Sequence, residues 1–199
     1  MPITHGQPNA RHDQAVKNRL GSMAQQPAEQ QNALAGAAPD ELQMEAPHEV
    51  YTLGLDQLTA GVDLEKVVPS GWRYLLRQGG ETVAVAQTRI DDGGQPVFSQ
   101  FNSGPFVAST QDALGRAEEF AGGADSADLA PRLLHVPALH AMALWLHGAD
   151  DAADVIMPLA PTPPGIDAGR RYSVSDYLSA LREAAATIPA TRTGDTTGG

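Results

Sequence analysis

Trp72-Arg73-Tyr74-Leu75-Leu76-Arg77-Gln78-Gly79-Gly80-Glu81-Thr82-Val83-Ala84-Val85 is the stretch from which the architecture is read. From Trp72 the side chains alternate, with Trp72, Tyr74 and Leu76 on one face and Arg73, Leu75 and Arg77 on the other, which is the period of a strand. Gly79-Gly80 supplies the positive φ angles of a two-residue hairpin. If those glycines are its centre, Leu76 pairs with Val83 and Tyr74 with Val85, so two apolar sets coincide. The expectation is a hairpin with one solvated face, from which Arg73 and Arg77 point outward.

Downstream, Asp91-Asp92-Gly93-Gly94 is a second turn, and the chain returns through Pro96 to Phe101, completing a three-stranded meander. A helix is predicted from Pro105, with Phe106, Thr110, Ala113, Leu114, Ala117 and Phe120 at helical spacing and Gly122-Gly123 as its stop. Extended segments follow at 132–136, 139–147 and 154–159, a second hairpin or three-strand unit. Pro158, Pro161, Pro163 and Pro164 then force an extended crossing. Ser173 caps a last helix whose stripe is Val174, Tyr177, Leu178, Leu181, Ala184, Ala185 and Ile188, before Pro189. The predicted class is α+β, an antiparallel sheet with two main helices packed on one face.

Upstream, Leu53 to Leu58 and Val62 to Val67 suggest short helical turns stopped by Pro69 and Gly71. All ten aromatic residues lie between Tyr51 and Tyr177. Residues 1–47 hold seven Gln, nine Ala and few branched aliphatics, too little to offset about 1–2 kcal/mol of backbone entropy per residue. The expectation is a disordered or weakly helical arm over 1–47, with helical propensity at 14–26 and 29–37. A single domain over 48–189 and a flexible tail over 190–199 complete the division.

The 199 residues carry 13 basic and 24 acidic side chains, a net charge of −11, and no cysteine. That charge repels phosphate backbones and anionic bilayers, so nucleic-acid and membrane partners are not expected. The absence of cysteine removes disulfides, thiolate nucleophiles and Cys-based metal sites. No apolar h-region precedes residue 27, and the longest apolar stretch, Val136 to Leu146, falls short of the roughly 20 residues of a bilayer span. The expected location is the cytoplasm. Phosphate-binding, dinucleotide, zinc-protease and calcium-loop motifs are missing from the sequence, so no cofactor is predicted.

Three histidines, His135, His140 and His147, sit in the most apolar stretch. Their spacing of five and seven matches neither the helical pair nor the strand pair of a metal site, so hydrogen-bonded core or edge histidines are expected and no metal is predicted. Beside His147, the acids Asp150, Asp151 and Asp154 could orient an imidazole, with Ser103 as a hydroxyl from elsewhere. Equally, acids in a hairpin turn solvate an edge. Arg73 and Arg77, with His140, are candidate binding residues for a carboxylate or phosphate, and Arg170 and Arg171 could add to them.

Three functions are compatible with these features. The first is a non-catalytic cytoplasmic accessory domain that docks a protein partner through its N-terminal arm. The second is a hydrolase-like or metal-assisted enzyme centred on His147 with Asp150 or Asp151. The third is a small-molecule-binding domain that uses the Arg73 and Arg77 face or the space between sheet and helices.

Overall fold

In the computed structural model the described residues are 3–26, 34, 36–121, 129–148 and 154–187. They form one seven-stranded sheet and four α-helices: α1 (Ala10–Ala24), β1 (Gln43–Thr52), α2 (Leu55–Ala60), β2 (Gly71–Gln78), β3 (Glu81–Ile90), β4 (Pro96–Asn102), α3 (Pro105–Ala121), β5 (Ala130–Val136), β6 (Ala141–His147), β7 (Val155–Leu159) and α4 (Val174–Ala186). The strand order is β4-β3-β2-β1-β5-β6-β7. All neighbours run antiparallel except the central β1 and β5, which are parallel. The class is therefore mixed α+β. None of the described helices is long and apolar enough to cross a membrane.

Cross-strand neighbours share a face, and Glu49 pairs with both Trp72 and Arg132, which in turn pairs with Trp145. This first face carries two apolar clusters. Tyr51, Leu134, Ala143, Trp145 and Ile156 pack against Leu58 of α2 and Tyr177, Leu178 and Leu181 of α4. Farther along the same face, Tyr74, Leu76, Ala84 and Ala86 pack against Val16, Leu20 and Met23 of α1. On the opposite face Val50, Leu75, Val85, Leu133 and Leu144 meet Val107, Ala113, Leu114 and Ala117 of α3. That helix touches β3 and also β6 and β7, so the twisted sheet curls around it.

Helices α3 and α4 thus lie on opposite faces of the sheet, which corrects the one-face packing expected from the sequence. Both faces of β2 are covered as a result: Arg73, Tyr74, Leu75 and Leu76 are all buried. The solvated face expected for Arg73 does not exist. The hairpin register also differs. Gln78 pairs with Glu81 and Arg77 with Thr82, but an irregularity after Leu76 moves the pairing on by one. Leu76 faces Ala84, Leu75 faces Val85 and Tyr74 faces Ala86. A bulge is invisible to period-two reasoning because it adds a residue to one strand only.

The opening stretch is the largest departure. Asn9 caps α1 by accepting from the Arg11 N–H at 3.0 Å. His12, Val16, Leu20 and Met23 then fall on one buried stripe, each aliphatic contributing roughly 1.5–3 kcal/mol. Tyr74 donates its hydroxyl to Asp13 at 2.8 Å, and His12 is hydrogen-bonded to Thr88 at 2.7 Å. Residues 10–24 are therefore docked, not a loose arm. Small Ala84 and Ala86 beneath them let a helix without aromatics come close. The sheet also begins at Gln43, so the boundary at 48 falls inside β1. There Pro47 sits at a bulge where Ala46 has φ of 47°, a position that tolerates proline within a strand.

Smaller differences concern element ends. On α3 the buried stripe ends in Val107 and Ala121, whereas Phe106 is half-buried and Phe120 exposed beneath the Arg171 guanidinium. A 3-10 turn at Pro137–Leu139 separates β5 from β6, where the sequence suggested continuous extension from Leu139. Gly122-Gly123, Ile188, Pro189 and the tail over 190–199 lie outside the described residues.

Candidate functional site

Strand β6 alternates so that Trp145 and His147 share the first face, and Asp154, just before β7, rises beside them. Asp154 is 6% exposed, and a buried carboxylate requires partners. Trp145 donates its Nε1–H to Asp154 Oδ2 at 2.6 Å, and the Gly148 N–H donates to Oδ1 at 3.0 Å. His147 Nδ1 lies 3.2 Å from Asp154 Oδ2 and 3.6 Å from Glu65 Oε1. Glu65 comes from a 3-10 turn, Leu64–Lys66, capped by Asp63. The donor atoms of Glu65, His147 and Asp154 all lie within 4.8 Å of one another.

An aromatic and cationic wall adjoins this cluster. The Arg132 guanidinium stacks over Trp145 at 4.7 Å and Tyr51 at 5.1 Å, and its Nε lies 3.8 Å from Glu49. Tyr51 donates its hydroxyl to Glu49 at 2.8 Å. The wall fixes Trp145, and Trp145 in turn fixes Asp154.

Of the residues singled out in the sequence, His147 and Asp154 meet. Asp150 and Asp151 lie outside the described residues. Ser103 is exposed at the end of β4, with β3, β2, β1 and β5 between it and His147. The three histidines do not converge. His147 ends β6, whereas His140 occupies the turn before that strand in a left-handed conformation, φ 48°, about 20 Å away at some 3.3 Å per residue. His135 lies near His140, and its basicity is lowered by burial and then by Arg73 and His140.

The arginines separate too. Arg77 pairs with Glu45 at 2.9 Å and donates to the Gly80 carbonyl. It borders a cavity of about 490 Å³ between α3 and the sheet, together with His5, Glu45, Gln111 and Glu118. Arg73 is buried with its guanidinium against Met142 of β6, and burial pulls that guanidinium down to about 10. Arg170 and Arg171 instead cover Tyr172 and Phe120.

Sequence reasoning missed Glu65 because nothing local links it to His147, and missed Arg132 because cross-strand stacking is not a sequence pattern. Trp145 and His147 at i, i+2 ahead of a run of aspartates were a usable signal. The chain matches no protein-family model, and no curated protein and no solved structure is significantly similar to it.

Proposed function

We propose that this protein binds one divalent transition-metal ion through Glu65, His147 and Asp154, and that the metal acts as a Lewis acid in a hydrolytic reaction. The carrying observation is spacing. A tetrahedral metal with bonds of about 2.0–2.1 Å has ligand–ligand edges of about 3.3–3.4 Å; the two edges from His147 Nδ1 to the carboxylate oxygens are 3.2 and 3.6 Å, and the edge between the carboxylates is within 4.8 Å. One imidazole and two carboxylates are donors that zinc accepts. Three protein donors leave a coordination position for water or substrate. Trp145 and the Gly148 N–H supply the supporting shell by orienting Asp154.

The same contacts in a metal-free protein describe an imidazole held between two carboxylates, and zinc titration of chelator-treated protein separates the two. The expected result is one zinc per chain by elemental analysis, with affinity falling at least tenfold in Glu65→Gln and His147→Ala. Zinc binding that is absent, or unaltered in both variants, rejects the metal. An ester and phosphoester screen then tests the Lewis-acid role, which requires turnover that depends on zinc and on Glu65.

An accessory-domain role would have to dock its partner through a surface other than the buried stripe of α1, because Val16, Leu20 and Met23 pack on the chain's own sheet. Small-molecule binding retains one supporting observation, the cavity beside Arg77, whose volume falls in the range of ligand sites of about 300–1,000 Å³. Ligand-induced thermal stabilisation that is lost in Arg77→Met but kept in Glu65→Gln would assign function there instead.

A further inference from the structure

On the sheet face opposite the metal cluster, three polar side chains lie in one row across β3, β2 and β1. Arg73 pairs with Gln87 on one side and with His48 on the other. All three are buried, Arg73 and His48 completely. Arg73 Nη1 donates to Met142 Sδ at 3.4 Å. Its Nε and Nη2, the side-on edge that grips an oxyanion bidentately, have no partner among the described residues, and neither do His48 Nε2 and Gln87 Oε1. No salt bridge to Arg73 is present among the described residues.

His48 Nδ1 lies 2.8 Å from the Ala46 carbonyl. A carbonyl accepts, so Nδ1 carries the proton and Nε2 presents a lone pair. The row therefore holds a cation with two unpartnered N–H donors and, on the strands to either side of it, two buried unpartnered acceptors. A completely buried, uncompensated guanidinium is strongly unfavourable, and a carboxylate would satisfy its edge but leave the acceptors unmet. An oxyanion that also carries a hydroxyl satisfies the guanidinium edge and one of the two acceptors.

We infer that Arg73, His48 and Gln87 form a binding site for a small oxyanion bearing one hydroxyl, of bicarbonate size, with the guanidinium edge taking two oxygens and the hydroxyl donating to His48 or Gln87. Half-buried Met142 and His135 mark the side on which the row approaches the surface.

The test is thermal unfolding of the full chain at pH 8 and constant ionic strength in sodium bicarbonate, sodium formate and sodium chloride, for wild type and Arg73→Met. Bicarbonate is expected to raise Tm by about 5–10 °C at a hundredfold excess over Kd, formate by less, and chloride not at all. Arg73→Met, an apolar replacement of a kind buried sites tolerate, is expected to abolish the bicarbonate response and to retain zinc binding. An identical response in all three salts, or an unchanged bicarbonate response in the variant, overturns the site. Formate acting as strongly as bicarbonate overturns the part assigned to the hydroxyl. Should the variant not fold, wild type decides alone: exchange broadening of the carbon-13 bicarbonate resonance by the protein is expected, and an unbroadened line refutes binding.

Discussion

Trp145 Nε1 and Asp154 Oδ2 are 2.6 Å apart, a buried bond between β6 and the residue that precedes β7. The same carboxylate also meets His147 and the Gly148 N–H. Its removal leaves several groups unpaired at once, each costing about 1–3 kcal/mol. Asp154→Ala is expected to destabilise the fold by about 3 kcal/mol or more in urea unfolding, and to shift Trp145 emission. Asp154→Asn, which keeps an acceptor, should cost less.

Docking of α1 is testable through its stripe. Met23 is 2% exposed and Leu20 6%. Truncation of either to Ala should cost about 2–5 kcal/mol, measured by denaturant unfolding. A loose arm would tolerate both changes, and in wild type limited proteolysis should spare residues 10–24.

Gly71 and Gly21 should respond in opposite directions to alanine. A Cβ on Gly71 would sit 2.0 Å from the Thr88 carbonyl oxygen, whereas one on Gly21, in the exposed face of α1, would meet nothing within 4 Å. Gly71→Ala forces the backbones of β2 and β3 apart and is expected to cost at least 1–3 kcal/mol. Gly21→Ala should add about 0.5–1 kcal/mol through helix propensity. Thermal melts of the two variants suffice.

His48 gives the stability a pH dependence. Its burial, partly offset by the bond to Ala46, lowers the imidazole to about 3 from an ordinary 6.5. The unfolded chain therefore binds a proton between those values that the folded chain does not. Stability is full above about pH 6.5 and is lost as pH falls towards 3, at up to about 1.4 kcal/mol per pH unit. His5, His12 and His135, also lowered by burial, act in the same direction. His48→Leu should flatten the slope between pH 6 and 4 by about one proton in urea titrations.

Local chemistry made some of this legible. Val174–Ala186 could be placed from its apolar stripe and from Ser173, which accepts the Asp176 N–H at 3.1 Å, because both signals act within one helical turn. The turn at Gly79-Gly80 was readable for the same reason, since both residues have positive φ. The aromatic count misled at the other end. It measures how much surface a segment could bury by its own side chains, whereas α1 supplies three apolar side chains to a cluster whose aromatic residues, Tyr74 and Phe98 among them, come from the sheet.

By itself the sequence determined the mixed α+β content, its helical and strand periods, and the acidic balance of the chain, all properties of neighbouring residues. Only the tertiary structure decided which face each helix covers, and with it that Arg73 is buried and not exposed. It also decided that Glu65 meets His147 and Asp154. Strand order, bulges and sheet curvature set those relations, and they arise from packing between segments far apart in the chain, where no local period carries the information.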